Sequence, residues 1–518
     1  MNNNTVQDRR NRFFGNFNRY RRGLSFSNKT RIRTFRPLAG NPFGVYRPSN
    51  VRPAVYPYVV EEEDKVDLDK LVNWKGQPSA IVDAYQSLQR LKHFFMARSD
   101  ARRFRYRRCL GWGGQGLAAG FDLHDGYGRR TGGIVVKNLF YDDPEISQGE
   151  IDALMKHEKS EHIVQLVTDL MDNGRQKKAN MRQSNTGRSY LTGYNSQPQA
   201  PTMIILEWLE NGDLANFISK VREKNQRIPN RVLWAFLLCM TRMCIGLAYP
   251  RDAIPGHSQM ASDIRETTFR QLKAGPSSIV HFDLDPRNIF LGNMTGAVGR
   301  EHRISPKLKL GDFGMATEIE RNQPDEYYES FRNWGKYGFY SPEQFCQEWD
   351  YIPRDQNLIS THPVAGNYSW HSNVWAVGLV METLITLCYP ISPPMASATA
   401  VLTPWENGNS YWTYGAHLQT ERFRYVDRNI IGIVMRCQAH VPMDRPALQE
   451  LEGFVSSKLQ NQYVGESDQQ ISDWMNGILY DAPPNPPPNP PSNLPPNLPP
   501  NLPRPFPLPE ILGRAFFR

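Results

Sequence analysis

Cysteine is scarce in this chain of 518 residues, and the six present (Cys109, Cys239, Cys244, Cys346, Cys388, Cys437) form no C-x-x-C pair. Such spacing argues against a disulfide framework or a cysteine-built metal site, so reduced, mostly buried thiols are expected. No secretory leader is expected either, because Met1 to Arg22 has no apolar core. No apolar run reaches the roughly 20 residues needed to cross a bilayer. Val374 to Leu387 comes nearest and is interrupted by Glu382, while Arg231 to Tyr249 carries Arg242 and reads as a core helix. These absences lead us to expect no membrane span and an intracellular home, cytoplasmic or nuclear. Acidic residues are nearly absent from residues 1–55, which hold eleven Arg, one Lys and one Asp. That stretch is therefore +11 in a chain of net +9, and the remainder is close to neutral.

The ends differ in kind from the middle. Residues 1–60 are rich in Asn, Phe and Tyr without helical or strand periodicity, and are expected to form a disordered basic arm. Contact between residues 1–55 and RNA or another polyanion, through Arg charge and stacking, is one reading; a solvated tail without a fixed partner is the other. A mitochondrial presequence is disfavoured by Asp8 and the missing amphipathic period. Residues 61–102 read as a linker with an acidic run, Glu61 to Asp64, and an amphipathic helix from Ala80 to Arg98. Residues 463–518 read as a linker and Pro-rich tail, with fifteen prolines in residues 483–509. Proline fixes φ and removes a donor, so this tail is expected in polyproline II form, either docking a polyproline-binding domain or acting as a stiff spacer.

Between the ends lies a set of short motifs in a fixed order. Gly111-Trp112-Gly113-Gly114-Gln115-Gly116-Leu117-Ala118 follows an alternating basic stretch, Arg103 to Leu110, that reads as a strand. Such glycines let backbone N–H groups close over phosphates, although a hairpin turn explains the run alone about as well. Ile134-Val135-Val136-Lys137 is a short apolar strand ending in a lone Lys. Glu150 opens a helical pattern with Ile151, Leu154 and Met155 on one face; Glu145 is the alternative carboxylate, and Glu158 reads as solvated. His162 to Leu166 reads as a further strand, and Thr202 to Leu206 as a buried one running into Glu207-Trp208-Leu209. Then come His281-Phe282-Asp283-Leu284-Asp285-Pro286-Arg287-Asn288, Gly311-Asp312-Phe313-Gly314, Ser341-Pro342-Glu343 and the closing stretch Cys437 to Pro446.

Taken in this order, the motifs resemble those of eukaryotic-type protein kinases. Their wording is similar to that of divergent kinase-like proteins of filamentous fungi, through the HFDLDPRN form, Ser372 to Gly378 and the long polar insertions. The resemblance implies an α+β, bilobal protein kinase-like fold over residues 103–462, with a small β-rich N-lobe (103–206) and a large α-helical C-lobe (207–462). It implies ATP and Mg²⁺ as cofactors and a protein substrate, Ser/Thr in preference to Tyr. Gly111, Gly113 and Gly116 would cover the phosphates, with Ala118 at the position of the pattern's Val, and Lys137 with Glu150 would hold the α- and β-phosphates. Glu207 and Leu209 fall in the segment that meets adenine, and Leu206 limits the back of its pocket. Asp213 would touch a ribose hydroxyl or cap the next helix. Asp283 would be the base, Asn288 and Asp312 the metal ligands, and Arg445 the partner of Glu343.

Two departures decide how far activity follows. Phe282 replaces the usual Arg, and Asp285 the usual Lys, whose loss is worth roughly 3–4 kcal/mol if nothing substitutes. Arg287 and Lys336 are the substitutes in view, and Lys336 is expected to pair with Asp285 near Asp283. Phe282 cannot hold an activation-loop phosphate, so phosphorylation of Tyr327, Tyr328 or Ser330, expected as solvated loop residues, should matter less. Asn373 replaces the family's Asp and keeps an acceptor. Polar stretches 171–200, 250–277 and 346–368 are expected as surface insertions. A pseudokinase scaffold recruiting partners through its two ends is the alternative to an active kinase.

Overall fold

Alternating apolar side chains shape the first layer of the computed structural model, which describes residues 35–37, 46–48, 57–58, 67–71, 76–98, 101–113, 116–139, 144–167, 203–250, 266, 275–294, 302–350, 362–391, 394–400 and 410–481. A short antiparallel pair, β1 (Phe35–Pro37) and β2 (Tyr46–Pro48), comes first. β3 (Phe104–Gly113), β4 (Gly116–His124), β5 (Arg130–Leu139) and β6 (Met203–Glu207) then form one antiparallel sheet in that order. Leu117, Ala119, Phe121, Ile134, Val136, Met203 and Ile205 share one face, as a period of two requires. Against it lies α1 (Ser79–Met96), which presents Ile81, Ala84, Leu88, Leu91 and Phe95 at helical spacing. Each such side chain fully removed from water stabilises the lobe by about 1.5–3 kcal/mol. The opposite sheet face faces the cleft.

α2 (Pro144–Lys156) packs beside this sheet, and helices dominate the second lobe. α3 (Leu214–Glu223) and α4 (Asn230–Ala248) lead into β7 (Ile279–Val280), β8 (Ile289–Leu291), β9 (Leu308–Leu310) and β10 (Thr317–Glu318). β8 pairs with β9 and β7 with β10, forming two small ladders that carry the polar motifs. α5 (Asp325–Glu329), α6 (Pro342–Phe345), α7 (Trp370–Thr386), β11 (Ser397–Ala400), β12 (Ser410–Thr413), α8 (Arg428–Cys437), α9 (Leu448–Lys458) and α10 (Asp468–Leu479) follow. α4 is long and apolar enough to cross a membrane, but it is buried throughout in the lobe and holds Arg242, which donates to Glu452 at 2.7 Å. Arg445 and Glu343, both wholly buried, form a two-pronged pair at 2.8 Å, and Ser372 donates to the same carboxylate at 2.7 Å.

Several expectations give way here. His162 to Leu166 is not a strand: Ile163 and Leu166 make single bridges to Leu310 and Leu206, so the segment ties two ladders together without joining either. Of the residues expected as a basic arm only 35–37, 46–48 and 57–58 are described, where β1 pairs with β2 and Tyr58 is buried with its backbone N–H donating to Leu387; the expectation for the rest of the arm stands. The stretch 463–518, expected as a linker and Pro-rich tail, contains α10. Ser467 supplies its capping box, and Ile471, Met475 and Ile478 recur at i, i+4 and i+7 on the core side. The 346–368 insertion is partly core, because Cys346, Trp349, Val364, Ala365 and Tyr368 are buried. Glu266 is buried too, within the stretch expected at the surface. Residues 171–200, most of the arm and the prolines of 483–509 lie outside the described residues.

Candidate active site

Register places Lys137 on the cleft face of β5, opposite Ala118 of β4 and Ile204 of β6. α2 delivers Glu150, whose carboxylate accepts from the Lys137 ammonium at 2.8 and 3.0 Å. Asp312, just after β9, accepts from the same ammonium at 2.7 Å. Burial alone would lower the Lys137 pKa, but Asp312 and Glu150 outweigh it and hold the group well above its ordinary value. Lys137 in turn keeps Asp312 below the ordinary carboxylate range. Asp312 adopts a left-handed backbone, φ +58°, which a non-glycine residue holds only when its surroundings impose it. Phe313 supplies part of that constraint, buried edge-on against His281 at 5.0 Å. The Glu145 side chain lies outside the described residues, and Glu158 is exposed.

Across the cleft, Asn288 donates its amide to the Asp283 carbonyl at 2.7 Å and to the Asp283 carboxylate at 2.9 Å. That leaves the Asn288 carbonyl oxygen, with the Asp312 carboxylate, as the oxygen donors a hard cation such as Mg²⁺ takes. Burial, and then the negative charges of Asp285 and Asp312, push Asp283 up to about 7. Asn373 accepts from the His281 backbone N–H at 3.0 Å and donates to the Ile279 carbonyl at 2.8 Å, so the amide holds the loop from both sides. Asp285 accepts from the Arg287 backbone N–H at 2.7 Å, and its second oxygen lies 3.6 Å from the Lys336 ammonium. Gly335 makes that approach feasible. Its φ is +94°, and a Cβ there would collide with the Phe282 carbonyl.

Phe282 is not a mere gap where a cation stood. It stacks on Phe331 (centroids 5.3 Å, 10° between planes) and meets Trp334 and Tyr368 edge-on at 5.6 and 5.5 Å. Tyr327 and Tyr328, expected to be solvated, are buried in the same cluster: α5 folds them inward, and their hydroxyls bond to the backbone of Glu320 at 3.0 and 3.1 Å. Ser330 is half-buried and donates to the Tyr327 carbonyl at 2.6 Å.

At the nucleotide end, Gly113 pairs with Gly116 across the hairpin whose tip, Gly114 and Gln115, lies outside the described residues. Gly111 is uncrowded, whereas a Cβ at Gly116 would strike the Asn138 carbonyl. The Glu207 carboxylate accepts from the Gln165 backbone N–H at 2.8 Å and from Lys309 at 2.6 Å, and the Glu207 backbone N–H donates to the Gln165 carbonyl at 3.0 Å, which leaves its own carbonyl for a ligand. Leu209 closes a turn through its carbonyl to the Gly212 N–H at 3.4 Å. Asp213 caps α3, accepting from the Asn216 backbone at 2.8 Å and its amide at 2.9 Å. One neighbour escaped sequence reasoning. The Trp208 ring fills the space that Cβ atoms at Gly120 and Gly133 would need, and the Arg107 guanidinium lies 4.9 Å over it. Two glycines on facing strands, with an aromatic after the buried strand, were the available signal.

A family model described as protein tyrosine and serine/threonine kinase matches residues 131–455, a range that starts after the glycine-rich hairpin. The chain is 25% identical over 187 residues to the G2-specific protein kinase fin1 of Schizosaccharomyces pombe, covering 36% of this chain and 20% of that protein. It is 23% identical over 181 residues to the G2-specific protein kinase nimA of Emericella nidulans (35% and 21% covered). It is 27% identical over 193 residues to the mitogen-activated protein kinase kinase SIPKK of Nicotiana tabacum (37% and 36% covered). The chain thus spans only a fifth to about a third of the length of these relatives. Since the match takes in α2, both polar ladders and every helix through most of α9, the chain belongs to the protein tyrosine and serine/threonine kinase family.

Proposed function

We propose that this protein is an active ATP- and Mg²⁺-dependent protein kinase that phosphorylates protein hydroxyls, Ser/Thr in preference to Tyr. The observation that carries the reading is the Lys137 ammonium touching Glu150 and Asp312 together, since both contacts belong to a kinase cleft assembled for transfer. Lys137 holds the α- and β-phosphates, the Gly111–Gly116 hairpin and Ala118 cover them, and the backbone of Glu207 and Leu209 meets adenine. Asp213 reaches a ribose hydroxyl. Asn288 and Asp312 would hold Mg²⁺, which would supply charge neutralisation at the transferred phosphate. Asp283 takes the proton of the attacking hydroxyl, and a group near pH 7 suits that task. Lys336, anchored on Asp285, replaces the missing loop cation, with Arg287 as the second donor. The unbridged cysteines suit an intracellular setting, cytoplasmic or nuclear. The basic arm is read as a polyanion or RNA contact and the Pro-rich tail as a ligand for a polyproline-binding domain.

One observation favours a pseudokinase scaffold: Asp285, buried beside Asp283, adds negative charge where the family carries a cation. Transfer of labelled phosphate from ATP to a peptide library separates the two readings. Activity that Asp312→Asn abolishes supports the kinase; nucleotide binding without transfer, across the library, establishes the scaffold.

A further inference from the structure

The second lobe contains a cluster that phosphoryl transfer does not use. His162, in the link after α2, Cys239, midway along α4, and His302, between β8 and β9, are all buried, and their ligating atoms lie within 4.8 Å of one another. Cys239 Sγ is 3.9 Å from His302 Nδ1, and the two rings sit 5.4 Å apart. Tetrahedral zinc, with Zn–S near 2.3 Å and Zn–N near 2.0–2.1 Å, needs S···N and N···N separations of about 3.3–3.8 Å. Small movements would reach them.

A second, independent observation points the same way. His162 Nδ1 bonds to the Glu266 carboxylate at 2.9 Å, and the other Glu266 oxygen accepts from the His162 backbone N–H at 2.9 Å. Both oxygens are thus spent on one histidine, and Arg242 fixes the Glu266 carbonyl from below. A carboxylate behind Nδ1 sets the tautomer and turns Nε2 toward a metal. His162 Nε2 is buried, makes no hydrogen bond of ordinary geometry among the described residues, and faces the Cys239 thiol as its polar neighbour. Glu161 does not compete for the position, since Lys307 holds its carboxylate at 2.5 Å.

We propose that His162 Nε2, the Cys239 thiolate and His302 Nδ1 bind one zinc ion, with Glu266 as the positioning residue and a water in the fourth position. Binding displaces the Cys239 thiol proton to solvent and leaves both imidazoles neutral. Cysteine and histidine ligands select zinc and its neighbours over Mg²⁺, so the site is distinct in chemistry from the Asn288–Asp312 pair. The ion would staple three segments far apart in sequence, and through Glu266 the stretch between α4 and β7. The site lies apart from the cleft residues, and zinc binding there is independent of whether the cleft transfers phosphate.

The test uses full-length protein purified without chelator. Elemental analysis should find one zinc per chain, and cobalt titration of the zinc-free protein should give a thiolate-to-Co²⁺ charge-transfer band. Cys239→Ser should abolish that band. Glu266→Gln should keep the band but weaken affinity about 10- to 100-fold, the usual cost of losing the carboxylate behind a ligating histidine. If Cys239→Ser does not fold, the wild-type band and Glu266→Gln decide the matter. Wild-type protein without stoichiometric zinc and without the cobalt band would overturn the proposal, as would zinc affinity unchanged in Cys239→Ser, which places the ion elsewhere.

Discussion

Replacing Lys336 by Thr, the residue the family carries there, is the sharpest test of how this cleft manages charge. The ammonium lies 3.6 Å from Asp285, whose side chain is only 3% exposed. At an effective dielectric of 20 that separation corresponds to about 4–5 kcal/mol of attraction before the cost of burying both groups. Removing the Lys leaves Asp285 with the Arg287 backbone N–H as a remaining partner, and adds an uncompensated charge beside Asp283. The loss of one preorganised donor at a transferring phosphoryl group lowers kcat by about 10²–10³. Steady-state phosphorylation with labelled ATP should therefore show a fall of that size in kcat for Lys336→Thr, with KM for ATP little changed. Adding Asp285→Lys returns the cation to the catalytic loop and should regain at least about tenfold. If Lys336→Thr keeps kcat within about threefold of wild type, the Lys336–Asp285 pair takes no part in phosphoryl transfer.

Loop phosphorylation should be nearly without effect: a Ser330→Glu variant is expected to match wild type in kcat, whereas Phe331→Ala, which empties the stack on Phe282, should cost about 3–5 kcal/mol in denaturant unfolding. At Glu343, burial alone would raise the pKa, but Arg445 outweighs it and holds the carboxylate below its ordinary 4.5. The stability it contributes is thus complete above that pH and lost as pH falls through the lower folded value, so Glu343→Gln should flatten acid unfolding in that window alone. Deleting residues 1–55 removes eleven Arg and one Lys, and heparin retention should fall sharply and lose its salt dependence, while a short neutral peptide is phosphorylated as before.

Elements whose periodicity answers to one packed face could be read in advance. α1, three strands of the sheet (β3, β5 and β6) and the buried α4 follow from apolar spacing, and motif order singled out Lys137, Glu150 and Asp312, which the structure brings into contact. What escaped depended on partners far away in sequence. His162 to Leu166 has strand composition, yet each bridge partner is met only once, so no ladder forms. Tyr327 and Tyr328 lie in a polar sequence and are buried because Phe282, Phe331 and Tyr368 assemble above them. Cys239 carried no spacing signal, since its companions come from other elements. The Gly120–Gly133–Trp208 contact is written in the sequence as small residues, whose meaning appears only with the ring in place.

The seating of Tyr58 changes what the basic arm can do. Its ring lies 4.5 Å from that of Tyr389, its backbone is bonded to Leu387, and Asp285, Arg287 and Asp213 are close enough for their charges to act on its hydroxyl. The arm is thereby tethered beside the catalytic loop and not at a remote corner. A protein captured by the arm would meet Asp283 intramolecularly, at an effective concentration that reaches about millimolar for short flexible tethers. On the proposed reading of the arm as a polyanion contact, capture and turnover would cease to be separable quantities: a weak substrate that carries a polyanionic tract would be processed as though it were a tight one, without a single added contact inside the cleft.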